Sequence, residues 1–104
     1  MGDVDHKQLL EMNRGLRNAW LEKSNYTYDD FRRIFEDGLS QFAIPKGTII
    51  LPVDAGRTPC LWATTPESDN NRVIVHFHSG GYLLGSASGY RFFGGLLAAA
   101  TGAR

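Results

Sequence analysis

The stretch Val73-Ile74-Val75-His76-Phe77-His78-Ser79-Gly80-Gly81-Tyr82-Leu83-Leu84-Gly85-Ser86 constrains this chain more than any other. Its first five residues are β-branched or aromatic, with His76 the single polar interruption. Apolar residues on both faces predict a strand covered on both sides, as in a parallel sheet. Gly80 and Gly81 then open backbone angles closed to other residues and keep side chains away from whatever approaches the turn. Two adjacent peptide N–H groups at the carboxyl end of a buried strand can converge on one point. That arrangement suits a developing negative charge.

The flanking segments predict what surrounds this turn. From Asp5 to Lys23, the residues Leu9, Met12, Leu16, Ala19 and Trp20 recur at spacings of three and four, the stripe of an amphipathic helix. Ser24-Asn25 breaks it. Thr27 and Asp30 form a T-x-x-D capping pattern for a second helix, with Phe31, Ile34, Phe35, Leu39 and Phe42 on one face. Two such helices are too few to close a core between themselves, so they must lie on something else.

Ile44-Pro45-Lys46-Gly47 marks the internal boundary, dividing the chain into segments 1–44 and 45–104. Thr48–Val53 and Thr58–Thr64 read as two strands joined by the turn Asp54-Ala55-Gly56-Arg57. Pro52 and Pro59 remove ladder donors and predict edge strands. After the glycine turn, Ser86 or Ser88 is placed to cap a helix from about Gly89 to Thr101, and Gly102 suits its C-cap. Gly94-Gly95 weakens that helix by roughly 1 kcal/mol per glycine, a cost that close approach to the sheet offsets. A second parallel strand is expected just where Arg104 stands.

His78-Ser79-Gly80-Gly81, with Tyr82 to Ser86, Tyr90-Arg91 and the helix ending at Arg104, resembles the HGGG region of α/β-hydrolase esterases and lipases of the hormone-sensitive-lipase-like group. The resemblance implies the amino-terminal part of an α/β-hydrolase fold: two cap helices, an antiparallel edge hairpin, the first buried parallel strand, the oxyanion loop and the first core helix. It implies that Gly80 and Gly81 supply oxyanion-hole N–H groups and that His78 holds the loop by hydrogen bonding. Tyr82 would line or border the pocket, or simply pack. Ser79 departs from the pattern, standing where the family usually has the first glycine. Segment 1–44 would be the cap and 45–104 the start of the core. The substrate would be a small acyl ester or lactone.

The rest of the chemistry is missing from the sequence. Acyl transfer in this family needs a serine in a G-x-S-x-G elbow, followed in chain order by an acid and a histidine. No G-x-S-x-G occurs; Gly85-Ser86-Ala87-Ser88-Gly89 places alanine at the centre. His6 lies in the first helix and His78 in the motif. His76 and His78 form an H-x-H pair without an evident third ligand, so no metal is expected. Gly80 and Gly85 have P-loop spacing, but Ser86-Ala87 replaces the required Lys-Ser/Thr, and no G-x-G-x-x-G exists. No cofactor is implied.

Length and charge agree. At 104 residues the chain is long enough for a small core, but single domains of this class commonly need roughly 200–250 residues. It is therefore expected to be an amino-terminal fragment of a serine carboxylic-ester hydrolase, inactive alone. The alternative is a self-contained, non-catalytic small α/β domain. Eleven basic and eleven acidic side chains give zero formal charge and no electrostatic reason for nucleic acid as a partner. Cys60 is the sole cysteine, which excludes an intrachain disulfide and suits a reducing compartment. With no basic-then-apolar leader and no membrane-length apolar run, a cytoplasmic protein is expected. Oligomeric state is not legible.

Overall fold

The computed structural model describes residues 5–22 and 25–104, except for the side chains of Ala19 and Trp20. The elements in order are helix α1 (His6–Leu21), helix α2 (Tyr28–Leu39), strands β1 (Ile49–Ala55) and β2 (Thr58–Thr64), and helix α3 (Arg91–Thr101).

Helix α1 starts where Asp5 accepts the Lys7 N–H at 2.9 Å, capping the first turn. Leu9, Met12 and Leu16 are half-buried, as the stripe requires. The expected extension to Lys23 and the break at Ser24 lie outside the described residues. Helix α2 opens on a complete capping box. The Asp30 N–H donates to Thr27 Oγ1 at 3.2 Å, and the Thr27 N–H donates to Asp30 Oδ2 at 2.8 Å. Two backbone donors that a helix start would leave unpaired are thereby satisfied. Leu39, at the end of the apolar face, is buried.

β1 and β2 pair antiparallel, with Val53 opposite Cys60 and Leu51 opposite Trp62. Gly56, at φ 69°, allows the tight turn between them. The sheet among the described residues has these two strands, so each is an edge, and Pro52 and Pro59 sit where a missing donor is tolerated. Helix α3 packs on β2. Gly94 lets it come close: a Cβ at Gly94 would lie 3.0 Å from that of Ala63. Phe42, just past α2, stacks on Phe92 of α3 at 4.6 Å between ring centroids and joins the helical segment to the rest.

α3 begins later than the sequence predicts. Ser86 Oγ accepts the Gly89 N–H at 2.9 Å and the Ser86 carbonyl accepts the Tyr90 N–H at 3.1 Å. These bonds close a separate turn over 86–90, and the helix proper starts at Arg91, without a side-chain cap on its N-cap Tyr90. Ser86 caps that turn, not the helix. Gly102 ends the helix in the left-handed conformation at φ 68°, its N–H donating to the Ala98 carbonyl. The chain is then stitched to the 65–72 loop: the Asp69 N–H donates to the Gly102 carbonyl at 2.8 Å, and Ser68 Oγ donates to the Ala103 carbonyl at 3.0 Å.

The segment expected as a buried strand differs from expectation. Val73–Phe77 is assigned to no sheet among the described residues. Val75 is 74% exposed and Phe77 87% exposed. Its pairing is confined to one end, where the Arg104 N–H donates to the Arg72 carbonyl at 2.9 Å and the Ile74 N–H donates to the Arg104 carbonyl at 2.8 Å. Two bonds from one residue to the neighbours of Val73 are one rung of a parallel ladder. A strand is buried on both sides only when neighbours run along it, and a single rung leaves His76 and Phe77 without that cover. The apolar composition is right for a covered strand, but the cover is absent among the described residues.

Candidate functional site

The glycine turn follows directly on this segment. Gly80 has φ 137°, Gly81 62° and Tyr82 65°, three successive residues in the region that favours glycine. At Gly80 the requirement is also steric, since a Cβ there would overlap the Leu84 carbonyl group. The Gly80 carbonyl accepts the N–H groups of Leu83 and Leu84 at 3.2 and 3.0 Å, folding the chain back on itself. Among the described residues, neither the Gly80 nor the Gly81 N–H has an internal acceptor. The Gly80 carbonyl is thus engaged within the turn, while the two adjacent glycine amides are left without an internal acceptor.

Contacts on both arms hold the turn. His78 Nδ1 lies 2.9 Å from the Ser79 carbonyl, and its ring stacks on Tyr90 at 5.5 Å and 15°. Ser79 Oγ and the Tyr90 hydroxyl are 2.7 Å apart. On the far arm, Arg32 of α2 donates from Nε to the Leu83 carbonyl at 2.9 Å, and Ser86 Oγ donates to Glu36 Oε2 at 3.1 Å. Gly89 permits that last contact: a Cβ there would lie 2.6 Å from Glu36 Oε2 and 2.8 Å from Leu39 Cδ1.

All four motif residues are therefore contiguous in one turn. His76 points its ring at Phe93 (4.9 Å between centroids) and does not join His78 at Tyr90. Among the described residues no group of three His, Cys, Asp or Glu side chains is placed to hold a metal ion. Tyr82 is fully exposed and does not contribute to the cavity described next. A cavity of about 420 Å³ lies between the hairpin, segment 73–78 and α3; its lining includes Leu61, Trp62, Val73, His78, Tyr90 and Leu97. Sequence reasoning missed Tyr90, Arg32 and Glu36 as neighbours of the turn. Tyr90 carried the one available signal, since it stands in the stretch that resembles the esterases. Arg32 and Glu36 sit one turn apart on α2, yet nothing in their spacing names a partner some fifty residues away (separations of 51 and 50).

No family model matches the chain. Among curated proteins it is 28% identical over 97 residues to the acetyl-hydrolase of Streptomyces hygroscopicus, an alignment covering 93% of this chain and 30% of that protein. It is 38% identical over 58 residues to LipR of Mycobacterium tuberculosis, covering 56% of this chain and 19% of that protein. The chain thus spans less than a third of the length of these relatives. Among solved structures, an esterase of the bacterial hormone-sensitive lipase family superposes with a TM-score of 0.78 at 24% identity, over 100% of this chain and 34% of that one. A mutant of the esterase E40 superposes with a TM-score of 0.77, also at 24% identity and with the same coverage. No helix among the described residues is long and apolar enough to cross a membrane. In fold the chain corresponds to about a third of the esterase structures on which it superposes, which are of the α/β-hydrolase type.

Proposed function

We propose that this chain is the oxyanion-hole-bearing part of a serine carboxylic-ester hydrolase, acting on small acyl esters or lactones. The observation that carries the reading is the pair of adjacent N–H groups at Gly80 and Gly81, without internal acceptors, in a turn that only glycine at position 80 can form. In the complete enzyme an activated serine attacks the ester carbonyl, and the carbonyl oxygen becomes an alkoxide in the tetrahedral intermediate. The two glycine amides donate to that oxygen, joined by the N–H of the residue after the nucleophile. Losing one such donor costs about 2.7–4 kcal/mol in analogous sites.

Residues 1–44 serve as the helical cap and 45–104 as the beginning of the core. The contacts of Arg32 and Glu36 with the 83–86 arm support this division of labour, because they bring α2 to the rim of the turn. The lone Cys60 suits a cytoplasmic location. The exposure of Val75 and Phe77 favours this reading over a self-contained, non-catalytic small α/β domain, which would cover a run of that composition.

The sequence holds no G-x-S-x-G elbow, and in a comparable triad enzyme the loss of the nucleophile costs about a millionfold in rate. The purified 104-residue chain is expected to release no p-nitrophenol from p-nitrophenyl acetate above the buffer rate. Turnover that disappears on replacing one of its own serines would refute the assignment.

A further inference from the structure

Ser79 is the motif residue that departs from the family's glycine, and its side chain is engaged. Its hydroxyl lies 2.7 Å from that of Tyr90, eleven residues further on and at the N-cap of α3. The Tyr90 ring stacks on His78 at 15°, and His78 Nδ1 in turn contacts the Ser79 carbonyl. Gly85 closes the cluster: a Cβ there would lie 3.0 Å from the Ser79 carbonyl oxygen, 3.2 Å from His78 Nδ1 and 3.2 Å from Tyr90 Cε2. Both arms of the turn therefore meet on one aromatic side chain anchored at a helix start.

We infer that Tyr90 is a positioning residue for the oxyanion donors. Its hydroxyl, through that of Ser79, holds the 79–85 turn in the shape that presents the Gly80 and Gly81 amides together. The inference rests on the oxyanion reading given above. Its physical ground is that the turn's own hydrogen bonds close only its inner side. Tyr82, a residue with a Cβ, is kept at φ 65°, a conformation that persists only where the surroundings enforce it. The Leu83 and Leu84 bonds to the Gly80 carbonyl close the inner side of the turn. The Ser79–Tyr90 bond secures its entrance to α3. A serine in the place of the family's glycine is in this way a second anchor.

The test is amide hydrogen exchange by NMR on the full 104-residue chain, read at Leu83 and Leu84, whose N–H groups report the closed turn. Tyr90→Phe removes one hydroxyl and keeps the ring on His78; Ser79→Ala removes the other. Each is expected to lower protection about fivefold, the worth of one neutral hydrogen bond. The double variant should lose no more than either single, because both remove the same bond. Unchanged protection in Tyr90→Phe, or additive losses, would overturn the positioning role. Should Tyr90→Phe disturb α3, the exposed Ser79→Ala decides by the same criterion.

Titration with inorganic phosphate separates this inference from the reading beneath it. In the unaltered chain the Gly80 and Gly81 amide resonances are expected to move, and Tyr90→Phe should weaken that response about as much as it lowers protection. Amides that ignore phosphate would overturn the oxyanion reading, and this inference with it. An additive cycle in a chain that responds to phosphate would overturn the positioning role alone.

Discussion

Gly15 and Gly95 both sit inside helices, but only one has room for a side chain. Replacing either with alanine removes the same backbone cost, about 1 kcal/mol. A Cβ at Gly15 would meet nothing within 4 Å. A Cβ at Gly95 would stand 2.5 Å from Thr48 Oγ1 and 3.0 Å from both Thr48 Cγ2 and Pro45 Cδ. Neither neighbour retreats easily. Threonine is branched at Cβ, so a rotation brings another heavy atom forward, and the proline ring is fixed. Overpacking of this kind costs about 1–3 kcal/mol. Because the helix-propensity gain is common to both substitutions, the difference between them isolates the packing cost. Amide exchange measured on α1 in Gly15→Ala and on α3 in Gly95→Ala reads it directly. Protection of α1 should rise about fivefold. Protection of α3 should stay level or fall, leaving the two responses about 5- to 150-fold apart. A Gly95→Ala chain whose α3 gains as much protection as α1 does in Gly15→Ala would refute the claim that the Gly94-Gly95 pair exists for close approach.

Two further predictions concern the turn and the start of α2. Gly80→Ala is expected to abolish protection at Leu83 and Leu84, since the added methyl overlaps the Leu84 carbonyl group and displaces the residue whose N–H closes the fold-back onto the Gly80 carbonyl; retained protection would show that the turn tolerates a Cβ. The Asp30 carboxyl is held below its usual range, chiefly by the Thr27 N–H, then by the Thr27 hydroxyl and the charge of Arg33. A depressed carboxylate stabilises the fold fully above its unfolded pKa, and this is lost as pH falls through the lowered folded value. Protection in the first turn of α2 should therefore decline on acidification within the acid range, and Asp30→Asn should remove that pH dependence; an unchanged profile in Asp30→Asn would contradict the capping account.

Local rules made much of this molecule legible in the sequence. Thr27 and Asp30 specify their helix start with four residues, and Gly102 its end with one, because caps are satisfied by near neighbours. The hairpin was equally local, since its turn residues and prolines act within the two strands they join. What escaped depends on partners distant in the chain. The start of α3 moved to Arg91 because Ser86 is committed to a turn and to Glu36 of α2. The hydrogen bond from Arg32 to the Leu83 carbonyl has no signature at either end. Composition predicts a covered strand at Val73–Phe77 because it records the surroundings a segment is suited to; the described residues supply a single rung of them, at Arg104. In the site, the motif named the turn but not what steadies it.

The most direct measurement is the position of the Gly80 and Gly81 amide resonances in the purified chain as acetate is added, with Gly47 and Gly56, two other glycines at positive φ, as internal controls. A saturable shift of the first pair with the controls unmoved is expected for adjacent donors gathered on one oxygen anion. A uniform drift of all four, or movement confined to the controls, would contradict the oxyanion reading.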